Sequence, residues 1–479
     1  MKHLSAIISM LLLIIVASCS NYSEPTVMKK WKKGNTTIKV EDQVTVSAGD
    51  ELLFDGGKDD FINFELTGSA KMAPGSTAAL IFHTDGSKNK GYEVLFHNGP
   101  IDGTRKTGSL SRVRNLYRSM AQDDTWFPFY VAVRGKNISV KINDIDVVCY
   151  TEPNAPYRIE EFKNRVLGSG TFELLGYNGS VDFKNLTVTA LPADAVNPAD
   201  TMPPIDEQKD DIIKLQQENF PVIDYHVHLK GGLVDNMARG MQMNYGINYG
   251  VGPNAYGPMQ PGEGGYGTMY TGDDDLGEYY ESVKNAPFLL GVQGEGRKWS
   301  YSFSNALLSK FDYLYTDAMT VIDHKGRTTR TYRNEEVILD YLSKQQYMDM
   351  LVNQMVKIVS NEPADIFANA FFIPDILSEE FDKYWTDARI DKVLNVMKEN
   401  KIALEISARY LVPSAYIIKR AKDMGIKFTF GTNNSENEHM EARLAYCIKM
   451  VKECGLTVDD MWFPSMSTRA ERMDKLQAK

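Results

Sequence analysis

The stretch Val222-Ile223-Asp224-Tyr225-His226-Val227-His228 decides how the C-terminal half of the chain is read. A short, mostly apolar run with strand-forming residues ends in two imidazoles at alternate positions. Alternate residues of a strand share a face and lie about 6.5 to 7 Å apart at the backbone, so both rings point to the same side. A buried strand that ends in polar groups aimed together is the way a parallel β/α architecture presents a site, because its chemistry gathers at the carboxyl ends of the strands.

Downstream of this stretch, short apolar runs alternate with amphipathic segments. Phe288 to Val292, Tyr313 to Tyr315, Ile366 to Phe372, Ile402 to Ile406 and Lys427 to Phe430 read as strands. Glu335 to Val359, Glu379 to Asn400, Pro413 to Asp423 and Glu438 to Cys454 read as helices. Strand and helix repeating in this way predict an α/β barrel of parallel type over residues 220–479. An open doubly wound sheet is disfavoured, since no Gly-rich phosphate turn follows the first strand.

The residues that follow each run are the candidate site. Gln293-Gly294-Glu295, Thr316-Asp317, Asn369, Glu405 and Gly431-Thr432-Asn433-Asn434 all fall at predicted strand ends. Imidazoles with carboxylates suit a borderline divalent cation, zinc or manganese, with His226, His228 and Glu295 as ligands. Asp224 stands beside the pair as a supporting partner. Glu295, Asp317 and Glu405 are the candidate catalytic carboxylates, while Lys230, Arg297, Arg409 and Asn433 are candidates for holding substrate, with Lys427 near the same rim. The run Asn244 to Tyr270, rich in Gly, Tyr, Asn and Pro, reads as a long loop whose tyrosines offer flat faces for a sugar.

His-x-His after a first barrel strand resembles the metal-dependent hydrolases, both the amidohydrolases and the polymerase and histidinol phosphatase group. The resemblance implies a TIM-like or phosphatase-type barrel over about residues 220–465, with Glu295 in the place of a metal-bridging glutamate. Two departures stand out: Asn433 and Asn434 occupy positions where an aspartate and a histidine are expected, and Asn369 follows the strand where a middle histidine belongs.

Upstream, from Trp31 to Pro192, the apolar pattern has period two and is broken about every ten residues by Gly, Asn and Asp. Thr37 to Val46, Asp60 to Leu66, Ala78 to His83, Tyr92 to Phe96, Phe127 to Arg134, Ile138 to Ile142, Gly170 to Leu175 and Ser180 to Thr189 read as strands of an all-β sandwich. Within it Glu93, His97 and Arg105 are expected to form a polar cluster near one strand end. The series Ala79-Leu80-Ile81-Phe82, Gly91-Tyr92-Glu93-Val94, Thr107-Gly108-Ser109-Leu110, Val131 to Lys136, Ile142-Asn143-Asp144 and Val181 to Leu186 resembles the 3-keto-disaccharide hydrolase domain family. That resemblance implies a jelly-roll sandwich related to concanavalin-type lectins and laminin G domains, and a substrate drawn from sugars oxidised at carbon 3.

The two halves make a multidomain chain. Residues 1–18 read as a signal peptide, 19–30 as a tether, 31–192 as the sandwich, 193–219 as a linker with a helix, and 220–479 as the barrel. The apolar run Ala6 to Ala17 is too short to span a bilayer, and its ending in Val16-Ala17-Ser18-Cys19 resembles a bacterial lipobox. Export follows, with a lipid anchor on Cys19 in a bacterial membrane. Cys149, Cys447 and Cys454 are an odd set without metal-type spacing and read as small buried apolar residues. With 479 residues, 53 Lys plus Arg and 63 Asp plus Glu, the formal charge of −10 and the absence of a basic run exclude nucleic acid as the main partner.

These readings converge on an exported carbohydrate-processing enzyme that cleaves a glycoside, such as a 3-keto-glycoside, with a divalent metal. A metal-dependent phosphoesterase and a non-catalytic sugar-binding surface lipoprotein are the alternatives.

Overall fold

The computed structural model describes residues 23–57, 60–197, 204–230, 233–257, 269–433 and 444–478. Cys19, the signal segment, Asn434 and His439 lie outside the described residues. Two compact units emerge that interleave along the chain. Residues 1–93, 124–152 and 162–204 belong to the first, and residues 94–123, 153–161 and 205–479 to the second.

The alternation predicted for the first unit is met by two antiparallel sheets. One has the order Thr26–Val27, Ser180–Ala190, Phe64–Met72, Phe127–Arg134, Asn137–Ile142, Ile145–Thr151, with Gln43–Ser47 also paired to Ser180–Ala190. The other has the order Thr36–Lys39, Lys30–Lys33, Glu51–Phe54, Thr171–Asn178, Thr77–Thr84, Tyr92–Phe96, and only the first two residues of that last strand belong to this unit. Phe64 of the first sheet meets Phe172 of the second edge to face at 4.9 Å and Phe82 at 5.4 Å, so the inward residues of both sheets share one aromatic core. The hairpin at Asn143-Asp144 shows how local chemistry sets register. Both residues have positive φ, 52° and 61°, which a two-residue turn between Ile142 and Ile145 requires and which Asn and Asp tolerate best. The predicted strand Thr37 to Val46 divides into Thr36–Lys39 and Gln43–Ser47, broken by the polar Glu41-Asp42 turn. The strands Lys30–Lys33, Glu51–Phe54 and Ile145–Thr151 were not foreseen.

In the second unit, seven parallel strands among the described residues close into a barrel. In chain order they are Ile223–Val227, Asn248–Val251, Leu289–Glu295, Tyr313–Asp317, Ile366–Ala368, Ala403–Ser407 and Phe428–Gly431. Each pairs with its chain neighbour, and the first pairs with the seventh. Seven strands is one fewer than the TIM arrangement has. The predicted loop Asn244 to Tyr270 is corrected here, since it contains the second barrel strand and a further short strand, Asn254–Tyr256, beside the third.

The helices begin later than periodicity alone suggests. The one predicted from Glu335 starts at Lys344, because Ser343 and Gln346 form a reciprocal cap at 3.2 and 2.9 Å. The one predicted over Glu379 to Asn400 is broken at Trp385-Thr386 into short turns and the helix Asp387–Glu399. Of the cysteines among the described residues, Cys447 and Cys454 are buried and Cys149 is half-buried, and they form no disulfide with one another.

Arg472 closes two of these helices from outside. Its guanidinium, 8% exposed, donates to Val359 O at 3.0 Å, Glu362 O at 2.7 Å and Asn400 O at 2.8 Å, carbonyls at the ends of Lys344–Asn361 and Asp387–Glu399. Arg472→Ala orphans all three and should cost about 2 to 4 kcal/mol. Urea denaturation would show this as a lowered midpoint, with Arg472→Lys recovering only part of it.

Candidate functional site

The barrel strands deliver a connected polar network at their carboxyl ends. His226 is fully buried on the first strand. Its Nδ1 lies 2.8 Å from Glu405 Oε2 of the sixth strand, and its Nε2 lies 3.2 Å from Gln293 Oε1 of the third. Gln293 Nε2 donates to Asp317 Oδ2 at 3.3 Å, and Asn369 Nδ2 donates to the same oxygen at 3.4 Å. Asn254 uses its two amide hydrogens on Gln293 Oε1 at 3.1 Å and Glu295 Oε1 at 3.0 Å, while its own Oδ1 accepts from Lys230 Nζ at 3.3 Å. The register of strand Asn254–Tyr256 explains this, because it sets Asn254 opposite Gln293 and Tyr256 opposite Glu295.

The two imidazoles do share a face, with ring centroids 5.1 Å apart. Asp224 supports them through the backbone: it accepts from His226 N, Thr432 N and Thr432 Oγ1, so it ties the first strand to the end of the seventh. Gly431 is obligatory at this point, since a Cβ there would stand 2.5 Å from the Glu405 carboxyl and 2.9 Å from His226 Cβ.

The network brings together His226, Glu295, Asp317, Glu405 and Lys230 as the sequence predicted, and His228 lies beside them. Arg297 is committed elsewhere. It donates to Glu362 Oε1 at 2.6 Å and to Asp317 O at 3.1 Å, and Glu362 is held further by Trp299 at 3.0 Å and Thr316 at 2.6 Å. Asn433 contributes a backbone carbonyl, which accepts from Arg409 at 3.0 Å. Lys427 precedes the seventh strand, at the opposite end from the site, and reaches Asp459 O. Of the residues in the predicted Glu93, His97, Arg105 cluster, Glu93 pairs with Arg165, His97 meets Thr104, and Arg105 meets Ser111. Asn254, Gln293 and Asn369 complete the site. Gln293 and Asn369 stood at predicted strand ends, whereas Asn254 lay within a presumed loop.

The electrostatics separate the carboxyls. Burial first, and then the charge of Asp317, push Glu295 up to about 8, against the pull of Lys230 and Arg297. Asp317 is also raised by burial, but Met319 N, Arg297 and Asn369 favour its ionised form. Near neutral pH these effects favour a proton on Glu295. Burial and the nearby Lys230 charge hold His228 well below the ordinary imidazole range. Burial, with the charge of Arg409, lowers Lys230, and Glu295 opposes that. Tyr256, Tyr332 and Tyr410 stand around this mouth. Each is raised chiefly by burial, and each feels the charges of Glu295 and Asp317.

A divalent ion on His226, His228 and Glu295 meets a donor set that does not fit it. Neutral His228 suits the role, since its Nδ1 faces Gly252 O at 2.6 Å and Nε2 keeps the lone pair. His226 does not, because Glu405 and Gln293 occupy both its nitrogens, and Glu295 is engaged by Asn254. Among the described residues no group of three or more His, Cys, Asp or Glu converges at cation spacing. Protein beginning after Cys19 should retain well below one equivalent of zinc or manganese after dialysis, measured by mass spectrometry. A full equivalent, lost in a His226→Ala, His228→Ala variant, would contradict this.

Residues 24–189 match the family model described as a 3-keto-alpha-glucoside-1,2-lyase-like domain. No curated protein sequence matches the chain. Among solved structures, a candidate glycosyl hydrolase from Parabacteroides distasonis is 14% identical, covering 34% of this chain and 88% of that one, with a TM-score of 0.29. Histidinol phosphate phosphatase from Lactococcus lactis, solved with zinc, L-histidinol and phosphate, is 13% identical, covering 50% of this chain and 95% of that one, with a TM-score of 0.36. A carbohydrate-binding module from Bacillus subtilis is 14% identical, covering 35% of this chain and 97% of that one, with a TM-score of 0.22.

Proposed function

We propose that this chain is a carbohydrate-processing enzyme that cleaves a glycosidic bond by acid–base chemistry at Glu295 and Asp317. The carboxyl pair at the barrel mouth, a half-buried Glu295 pushed up to about 8 beside a buried Asp317, carries this reading. The match of residues 24–189 to a lyase-like domain supports a 3-keto-α-glucoside as substrate.

The chemistry suits two carboxyls in different states. A ketone at carbon 3 acidifies the hydrogen on carbon 2. Asp317, as carboxylate, takes that proton; the electron pair forms a carbon 1–carbon 2 double bond, and the carbon 1–oxygen bond breaks. Glu295 supplies its proton to the departing oxygen. The products are an alcohol and an unsaturated keto sugar, to which water adds to complete hydrolysis. Gln293, Asn254 and Asn369 orient the two acids, while Tyr256, Tyr332 and Tyr410 offer ring faces to the sugar. Release of an alcohol from a 3-keto-α-glucoside by the full chain, lost in both Glu295→Gln and Asp317→Asn, is the expected result. Unchanged release in either variant would overturn it.

A second reading is favoured by Lys230 and Arg409, two cations at the same mouth. They would suit a phosphoester, and activity on phosphoesters but not on keto-glycosides would select it. Export with a lipid anchor on Cys19 belongs to the same proposal, supported by the apolar run Ala6 to Ala17.

A further inference from the structure

The loop after the first barrel strand sets a lysine at the mouth with no carboxylate paired to it. Lys230 lies two residues beyond His228, and its backbone is fixed there: Lys230 N donates to His228 O at 3.0 Å, and Leu233 N donates to Lys230 O at 3.1 Å. The side chain is half-buried. Its Nζ donates to the neutral amide oxygen Asn254 Oδ1 at 3.3 Å and enters no ion pair among the described residues.

Other cations of the same unit are committed differently. Lys106, fully buried, pairs with Asp102 at 2.9 Å, and Arg297 with Glu362 at 2.6 Å. A lysine held by one long bond to an amide keeps its nitrogen for chemistry that an ion pair would occupy. Asn254 also fixes what the amine faces. Its Nδ2 donates to Glu295 Oε1 at 3.0 Å, so amine and acid stand at the two ends of one side-chain amide. Gln293, bonded to that amide at 3.1 Å, leads on to Asp317 at 3.3 Å. An amine, an acid and a carboxylate oriented by one network can work on neighbouring carbons of a single ring.

We propose that Lys230 is a further catalytic residue, whose Nζ forms an imine with the carbonyl carbon of a keto sugar bound at this mouth. The inference rests on the keto-glycoside reading above and adds a covalent intermediate to it. The nitrogen bonds carbon 3 as the carbon 3–oxygen double bond is lost; of the three ammonium hydrogens, two leave with that oxygen as water and one stays on the protonated imine. This cation draws electrons from carbon 2 more strongly than the ketone does. Asp317 takes the carbon 2 hydrogen, the electron pair forms the carbon 1–carbon 2 double bond as the carbon 1–oxygen bond breaks, and Glu295 protonates the departing oxygen. Water then adds to the imine carbon and releases the unsaturated keto sugar from the lysine. A sugar without a carbonyl offers the amine nothing to bond, so selection for the oxidised ring is built into the step.

The test is trapping with cyanoborohydride, which reduces a protonated imine to a stable amine. The full chain, begun after Cys19, is incubated with methyl 3-keto-α-glucoside or with methyl α-glucoside, then digested for mass spectrometry. The keto sugar should leave a reduced adduct on the peptide carrying Lys230, with turnover lost in step, and methyl α-glucoside should leave none. Lys230→Arg keeps the charge and a donor toward Asn254 but forms no imine, so it should lose both the adduct and the cleavage while its urea midpoint stays near that of the parent. Trapping in the parent decides the matter even where that variant does not fold. Cleavage by the parent with no adduct on Lys230, or cleavage retained by Lys230→Arg, would overturn the imine and leave the glycoside reading standing. An adduct on Lys230 without release of methanol keeps the imine and removes the cleavage; neither adduct nor release removes both.

Discussion

On the proposed reading, replacing Glu295 with glutamine should lower turnover of a 3-keto-α-glucoside by about 10²- to 10⁴-fold, the usual contribution of a positioned general acid. Glutamine preserves the shape and the contact with Asn254 Nδ2 but carries no transferable proton. The pH profile makes the argument specific. With Glu295 held up to about 8, the parent keeps its acid form through neutral pH and loses activity above about pH 8, and the residual activity of Glu295→Gln lacks that alkaline limb. Stability moves with the same group. Its folded pKa lies above the 4.5 of an unperturbed glutamate, so the folded chain binds the proton more tightly and loses stability as pH rises from 4.5 toward about 8. Glu295→Gln should remove that decline, read as urea midpoints across the range. An unchanged alkaline limb in the variant would assign the acid to another group.

Gly431→Ala is the second large effect. The added methyl would stand 2.5 Å from the Glu405 carboxyl and 2.9 Å from His226 Cβ, so it drives apart a buried hydrogen-bonded pair 2.8 Å long. Neither partner can relax outward, because both are essentially unexposed inside the barrel. Breaking a buried pair costs about 3 to 5 kcal/mol. The expected outcome is a lower unfolding midpoint together with lost activity, since His226 also holds Gln293 and through it Asp317. A variant as stable and active as the parent would show that the pair contributes little to either.

The parts of the site legible in the sequence are those in which polarity interrupts an apolar run. Val222 to His228, Gln293-Gly294-Glu295, Thr316-Asp317 and Glu405 sit at strand ends, and there the pattern itself reports position. The second barrel strand escaped for a physical reason. Gly250 and Gly252 give way to Tyr313 and Tyr315, whose hydroxyls would lie 2.2 and 2.8 Å from a Cβ at those positions. The missing side chains that let the barrel close also erase the alternation by which a strand is recognised, and Asn254 was lost with it. Arg297 failed differently. Its charge was visible, but its partner Glu362 lies 65 residues on at a helix end, where no local pattern joins them. In the sandwich, Tyr92 to Phe96 and Phe127 to Arg134 were read to the residue, while the short strand Lys30–Lys33 shows one buried residue among three exposed ones and leaves little periodicity to find.

Residues 94–123 sit early in the chain yet belong to the barrel unit. Asn115 O accepts from Asn248 Nδ2, Arg114 reaches Asn244 O, and Arg118 reaches Phe288 O and Asp312, all where barrel strands begin. Tyr117 is 1% exposed within the barrel core. During synthesis this floor therefore leaves the ribosome more than a hundred residues ahead of its walls. Until the strands at 248, 289 and 313 follow, Tyr117 and the arginines around it wait without the partners that bury them, and a nascent chain halted after the sandwich carries an open, protease-sensitive excursion.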